Sequence, residues 1–160
     1  MRPEGCRDLH HEGELAIVIG RICKQVPARR VAEVVFGYTI ANDVTARDWQ
    51  REGDQWFRAK GCDTFCPLGP WINTHLTLAE AGHLAIETRV GEEVRQQGNT
   101  SQLVRGIPEL VTYISSFATL LPGDVILTGT PAGVGPMADG DVVSVEVDGL
   151  GVLSNPVTAA

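Results

Sequence analysis

Two glutamates, Glu12 and Glu14, stand one residue apart in HHEGELAIVIG, and an aspartate, Asp43, follows in GYTIANDVTARDWQ. Residues two apart on an extended strand project to the same face. A strand that includes both glutamates therefore aims their carboxylates one way and leaves Leu15, Ile17 and Ile19 to pack on the other. Carboxylate oxygens gathered like this suit hard divalent cations, Mg²⁺, Mn²⁺ or Ca²⁺, in preference to zinc. The competing reading is a solvated strand edge whose glutamates simply face water. Asp43 favours the metal reading, because it ends an apolar run from Val34 to Ala41 that reads as a second strand, and sites are commonly built at strand ends. A helix starting there places Asp43, Arg47 and Gln50 at i, i+4 and i+7 on one face, where an acid, a base and an amide converge. The simpler alternative is a helical Asp43–Arg47 ion pair with Gln50 in solvent.

The rest of the chain bounds what such a cluster can serve. At 160 residues with 43% apolar content, a single domain with its own core is expected over 1–160. No apolar run reaches the length of a membrane span. The opening MRPEGCRDLHHEG lacks the apolar stretch of a signal peptide, so a cytoplasmic setting is expected. A net charge of −7 disfavours nucleic acid and anionic membrane surfaces as partners. Cys6, Cys23, Cys62 and Cys66 have no C-x-x-C spacing and read as thiols rather than as a zinc site. Three clustered carboxylates repel one another, and a divalent ion offsets that repulsion. An anionic substrate then needs the metal, or a positive side chain, as its anchor.

The elements that must position these groups are mostly strands. Pro27 can open a short helix over Ala28 to Val35, although the strand may begin inside that run. Gly61 to Pro70 reads as irregular. Leu84 to Val90 and Glu93 to Gln97 flank Gly91-Glu92 as a hairpin. Ile107 to Leu120 is the clearest helix, with Leu110, Tyr113, Ile114 and Phe117 as its apolar stripe and Pro122-Gly123 beyond it. Asp124 to Leu127 reads as a buried strand that leads into the loop Thr128-Gly-Thr-Pro-Ala-Gly-Val-Gly135. That loop has neither phosphate-loop nor dinucleotide spacing. It is either a turn that brings backbone N–H groups and the Thr130 hydroxyl to a small ligand, or a purely structural turn. Val143, Val145 and Val147 alternate with polar residues, and Gly149 and Gly151 permit a return strand. Strands in two groups around one long helix predict a mostly antiparallel, strand-rich α+β fold.

The segments GELAIVIG, GYTIANDVTARDWQ, FCPLGPWI, PGDVILTGTPAGVGPMADGD and VVSVEVDGLG, in that order, resemble the fumarylacetoacetate hydrolase family from about Leu9 onward. The similarity is to its C-terminal catalytic domain, in the bacterial branch of acylpyruvate hydrolases and 2-hydroxyhepta-2,4-diene-1,7-dioate isomerases. The resemblance implies a mixed β-roll, usually dimeric, with Mg²⁺ or Mn²⁺ held at Glu12, Glu14 and Asp43. It implies substrate-binding or electrostatic roles for Arg47, Gln50, Lys60 and Thr130. The expected substrates are small keto or enol dicarboxylates of aromatic or organic-acid catabolism, undergoing hydrolysis, isomerisation or decarboxylation. A 2-keto or 2-enol carboxylate chelates such a cation through two oxygens, and Lys60 adds positive charge beside the developing enolate. Lys60 as an ordinary surface lysine is the plain alternative.

Two departures from the family pattern shape the expectation. Its usual general base for water is a His-Glu pair upstream of the first metal glutamate, and eleven residues precede Glu12 here. His10 and His11 read instead as exposed residues or as supports around the metal, at most bonding a metal-held water. The run Lys60-Gly61-Cys62-Asp63 also lacks the aromatic that relatives carry after the lysine. Decarboxylation or tautomerisation is therefore expected to exceed hydrolysis, with an N-terminally truncated, non-catalytic metal-binding homologue as the rival reading.

Overall fold

The computed structural model describes residues 1–159, and its strands form three antiparallel sheets. In chain order the strands are β1 (Leu9–His11), β2 (Gly13–Ile19), β3 (Val35–Asn42), β4 (Thr45–Ala46), β5 (Leu68–Asn73), β6 (Ala85–Val90), β7 (Glu93–Asn99), β8 (Val125–Leu127), β9 (Gly135–Pro136), β10 (Val142–Val147) and β11 (Gly151–Pro156). The helices are α1 (Arg47–Glu52), α2 (Phe57–Lys60), α3 (Leu78–Ala81) and α4 (Ile107–Phe117), with 3₁₀ turns at Ala28–Glu33 and Thr100–Gln102. One sheet runs β5-β3-β2-β8, a second β11-β10-β6-β7, and a small third β4-β1-β9. This is the strand-rich α+β arrangement that the sequence predicts.

The main core lies where the two larger sheets and α4 meet. Leu15, Ile17 and Ile19 of β2 join Tyr38 and Ile40 of β3, Val145 and Val147 of β10, and Ile107 and Val111 of α4. The valine alternation on β10 behaves as predicted, with Val143, Val145 and Val147 buried and Glu146 exposed. Gly149 and Gly151, at φ of 71° and 83°, turn β10 back into β11. Such φ values suit a residue without Cβ. A second apolar cluster, including Cys6, Leu9, Val44, Met137 and Val157, supports β1 and β4 below the acidic residues.

Several expectations need correction. β2 is buried on both faces rather than one, since Ala16 and Val18 are enclosed along with Leu15, Ile17 and Ile19. It is an interior strand, paired with β3 on one side and β8 on the other. The helix after Pro27 is a 3₁₀ turn with Pro27 at its cap, and β3 begins at Val35. α4 stops at Phe117, and its inward face carries Ile107, Val111 and Ser115, while Tyr113 and Phe117 are exposed and pack edge to face on each other. Two apolar stripes run along that helix, and periodicity alone does not say which one meets the core. β5 crosses Gly69-Pro70 in a stretch that reads as irregular, because proline within a run argues against a central strand; β5 is an edge strand, where proline is tolerated. All four cysteines are free thiols, Cys6 and Cys23 buried and Cys62 and Cys66 partly exposed. Among the described residues no helix is long and apolar enough to cross a membrane.

Candidate metal centre

Glu12 sits at the junction where β1 ends and β2 begins. Its backbone N–H donates to the Asn42 side-chain oxygen at 2.9 Å, and its carbonyl accepts from the Asp43 N–H at 2.8 Å. These two bonds lock the start of β2 to the end of β3, so that Glu12 and Asp43, far apart in sequence, become neighbours. Glu14 follows on β2, opposite Ala41. The residue between the glutamates has to be glycine here: a Cβ on Gly13 would lie 2.2 Å from the Thr88 hydroxyl oxygen and 3.0 Å from a Val145 methyl. β2 is thereby pressed against the second sheet at the point where its carboxylates emerge.

One oxygen from each of Glu12, Glu14 and Asp43 lies within 4.8 Å of the others. Glu12 and Glu14 are buried, at 7% and 3% exposure, and Asp43 is half-buried. An octahedral Mg²⁺ or Mn²⁺ with bonds of about 2.1 Å holds its ligand oxygens about 3–4.2 Å apart, so this set needs only small adjustment to share one ion. An all-carboxylate donor set also matches that class of ion chemically.

Two cations face the three acids. Lys60, at the end of α2, donates to Glu12 Oε2 at 2.9 Å and also to Asp43 Oδ2. Arg47, at the start of α1, donates to Glu12 Oε1 and, through its other terminal nitrogen, to Gln50 Oε1 at 2.8 Å. Arg47 and Gln50 therefore share a helix face as predicted, but Asp43 does not belong to it. The short strand β4 intervenes, and in place of the alternative helical Asp43–Arg47 pair the structure has Arg47–Glu12 and Lys60–Asp43. Lys60 is not a free surface lysine.

The electrostatics reflect this enclosure. Burial pushes Glu14 up to about 7, with the Gly129 N–H, 2.6 Å from its Oε2, pulling the other way and the charges of Asp43 and Glu12 adding to the rise. Burial also raises Asp43, against the opposing pull of Lys60. Burial alone would lower Lys60, but its bonds to Asp43 and Glu12 outweigh that and hold the ammonium charged. Sequence reasoning missed Cys66, whose thiol is raised by burial and by the negative charge of Asp43 and Glu14. No spacing rule could have placed it there.

Thr130 belongs to the loop behind β2. Its hydroxyl donates to the Gly13 carbonyl at 2.8 Å and accepts from Gln96 Nε2 at 2.8 Å. The loop is thus laced to the backbone of the glutamate strand, as Thr128 also is through Leu15 O at 2.8 Å. Of the two readings of His11, exposure is overturned: it is fully buried directly before Glu12, with its Nδ1 3.2 Å from Gln96 Oε1, because β1 lies between β4 and β9. His10 bonds Asp8 at 2.8 Å. Gln96, almost wholly buried on β7, was also missed; a glutamine on a hairpin strand gives no sign that it turns inward. A cavity of about 370 Å³, lined by Leu15, Leu103, Arg105, Leu110 and Pro131, shares the Thr128–Pro131 loop with the cluster but none of its carboxylates.

A carboxylate cage at a strand junction, held against two cations, is a donor set whose chemistry suits a hard divalent ion. Residues 1–158 match the fumarylacetoacetate hydrolase C-terminal model, and the chain belongs to that family. It is similar to the structure of 5-carboxymethyl-2-hydroxymuconate delta-isomerase from Mycobacterium smegmatis, at 59% identity and TM-score 0.94, over 98% of this chain and 61% of that one. A maleylpyruvate hydrolase from Sphingobium sp. SYK-6, solved with manganese(II) and pyruvate, is 41% identical at TM-score 0.88, over 98% of this chain and 57% of its own. The mitochondrial oxaloacetate tautomerase Fahd2a of Rattus norvegicus is 44% identical over 97% of this chain and 52% of its own. The chain spans between half and two thirds of the length of these relatives. The named relatives are enzymes: an isomerase, a hydrolase and a tautomerase.

Proposed function

We propose that this chain carries the site of a Mg²⁺- or Mn²⁺-dependent enzyme that stabilises enolates of small 2-keto or 2-enol dicarboxylates. The observation that carries the reading is the enclosed triad of Glu12, Glu14 and Asp43 with Lys60 bridging two of its members. Glu12, Glu14 and Asp43 would hold the ion, which when bound supplies Lewis-acid polarisation of a keto or enol oxygen. Lys60 places a permanent positive charge beside the oxygen on which enolate charge develops. Arg47, oriented by Gln50, offers a second cation to a substrate carboxylate. Thr130 holds the adjoining loop, whose backbone borders the same space.

The cations and carboxylates of this site provide charge stabilisation directly, which is what β-keto acid decarboxylation chiefly requires, while tautomerisation needs in addition a modest proton shuttle between carbon and oxygen. Hydrolysis requires in addition a positioned base to activate water, typically contributing about 10²–10⁴ in rate. The preferred reading, supported by the likeness to the oxaloacetate tautomerase, is tautomerisation or decarboxylation of an oxaloacetate-like diacid. The second reading, C–C hydrolysis of an acylpyruvate, is supported by the likeness to maleylpyruvate hydrolase. The assembly we propose is a homodimer, in keeping with the exposed Leu68, Trp71 and Ile72 on the edge strand β5.

The test is to give the Mn²⁺-loaded protein enol-oxaloacetate and follow loss of enol absorbance, pyruvate release and, separately, acylpyruvate cleavage. Faster ketonisation or decarboxylation than cleavage supports the first reading. Cleavage exceeding both supports the second. Oxalate-strengthened Mn²⁺ binding with no turnover of any substrate establishes a non-catalytic binding protein and sinks both.

A further inference from the structure

We propose that Gln96 is a positioning residue for this centre: its carboxamide clamps the backbone between Glu12 and Glu14 to the Thr130–Pro131 loop and fixes the direction of each hydrogen in the network that joins them. The inference rests on the metal reading above for its functional consequence, but the clamp itself is argued from hydrogen-bond geometry.

Thr130 fixes the first hydrogen of the network. Its hydroxyl oxygen lies 2.8 Å from the carbonyl of Gly13, which can only accept, so the hydroxyl hydrogen points there. The same oxygen lies 2.8 Å from Gln96 and must therefore accept, which identifies the Gln96 atom facing it as the amide nitrogen. The second hydrogen on that nitrogen goes to the Pro131 carbonyl at 2.8 Å. The amide oxygen is then left facing the Gly13 N–H at 3.0 Å and His11 Nδ1 at 3.2 Å. Accepting from both, it requires the His11 hydrogen to sit on Nδ1. A flipped amide would set donor against donor at Gly13 and acceptor against acceptor at Pro131.

Gln96 is 1% exposed, and both hydrogens of its amide nitrogen and both acceptor directions of its oxygen are used. His11 is fully enclosed, and its Nε2 has no partner among the described residues, which agrees with that nitrogen carrying no hydrogen. Gly13 is gripped at both its N–H and its carbonyl, and its two neighbours in sequence are the glutamates. Gly129, next to Thr130, closes the ring by donating to Glu14. A shift of the loop therefore moves Glu14 through two routes at once, and Gln96 is the side chain common to the network behind them. Groups that hydrogen-bond the ligands of an ion commonly change its affinity by about 10–100-fold when removed, and Gln96 acts one step behind them, through Gly13 and the Thr130 loop.

The test uses Gln96→Met, which keeps length and burial but removes the amide, with two readouts. Calorimetric titration of Mn²⁺ on the folded variant is expected to show affinity weakened by about 10–100-fold. The ¹⁵N shifts of the His11 ring in the metal-free protein are expected to report the Nδ1–H tautomer in the parent chain and to lose that signature in the variant. Parent-like Mn²⁺ affinity with only a lower Tm means Gln96 is merely a core residue and overturns the proposal. Unaltered His11 shifts overturn the clamp whether or not metal binds. If the parent chain itself binds no Mn²⁺, the metal reading fails, and the His11 shifts alone decide the clamp. Should Gln96→Met not fold, Gln96→Glu retains acceptors for Gly13 and His11 but loses the donors to Thr130 and Pro131. In that variant, weakened Mn²⁺ binding with the Nδ1–H signature kept supports the clamp, and unchanged binding overturns it.

Discussion

At its start β2 buries opposite kinds of side chain on its two faces to nearly the same depth. Glu14, at 3% exposure, is enclosed among Asp43, Lys60 and the Gly129 N–H, whereas Leu15 and Ile17, at 1% and 0%, lie in the main core with Tyr38, Ile40 and Val111. Burying each of those apolar side chains stabilises the fold by about 1.5–3 kcal/mol. Burying a carboxylate among other carboxylates does the reverse, and the rise of Glu14 to about 7 is the visible sign of that cost. Lys60, Arg47 and the Gly129 N–H offset part of it. Equal burial thus has two meanings on one strand, and it is the partners that separate them: apolar neighbours mark a stabilising residue, whereas a desolvated carboxylate held beside like charges marks the residue we propose as a metal ligand.

The comparison breaks most sharply at its two extremes. Glu14→Gln removes the charge with little change of shape, and it is expected to eliminate measurable Mn²⁺ binding and turnover while leaving the metal-free Tm unchanged or raised near neutral pH. Calorimetric titration and thermal unfolding check both halves; a Tm that falls along with binding would show that Glu14 is a stabilising residue after all. Ile17→Ala is the mirror experiment. It should cost about 2–5 kcal/mol of unfolding free energy in denaturant titration, with the Mn²⁺ affinity of the folded fraction unchanged.

Those two outcomes also bear on how far the sequence alone reaches. The triad was legible because Glu12 and Glu14 are close in sequence and Asp43 directly follows β3, which pairs with β2, so an extended segment and one strand pairing bring the three together. Lys60 and Arg47 were legible as participants through resemblance, but their partners were not. The sequence pattern pairs Arg47 with Asp43 along a helix, whereas β4 interrupts that helix and Arg47 turns to Glu12. His11, Gln96 and Cys66 were misplaced or missed, because inward orientation of a polar side chain depends on packing between sheets and has no periodic signature. The fold was read correctly where alternation was strong, as on β10, and misread on α4, where two apolar stripes compete for the core.

Lys60 tests whether the cations serve the fold or the chemistry. Its ammonium bridges Glu12 and Asp43, so Lys60→Met leaves two buried carboxylates short of a partner and makes a metal ion a better replacement. The expected result is Mn²⁺ affinity equal to or above that of the parent chain, with kcat on enol-oxaloacetate lower by about 10²–10³, the usual effect of removing a charge-stabilising donor. Weaker Mn²⁺ binding with unchanged kcat would assign Lys60 to holding the cage together rather than to the reaction.

Changing pH separates the acidic start of β2 from its apolar residues without a substitution. Glu14 titrates near 7 in the folded protein against 4.5 ordinarily, so between those values the folded state keeps a proton that the unfolded chain has released. Stability of the metal-free protein from this group is therefore full below about 4.5, falls as pH rises, and levels off above about 7. Asp43, also raised by burial, has the same sign. Metal binding runs the other way, since the ion requires the carboxylate that the proton occupies. Mn²⁺ affinity should climb by about tenfold per pH unit for one competing proton from pH 5 toward 7 and then flatten. Paired measurements at pH 5 and pH 8 should consequently show Mn²⁺ raising Tm far more at the higher pH. A Tm gain independent of pH would mean that Glu14 does not ligate the ion, and would remove the functional meaning from the buried charge that sets this side of the strand apart from the other.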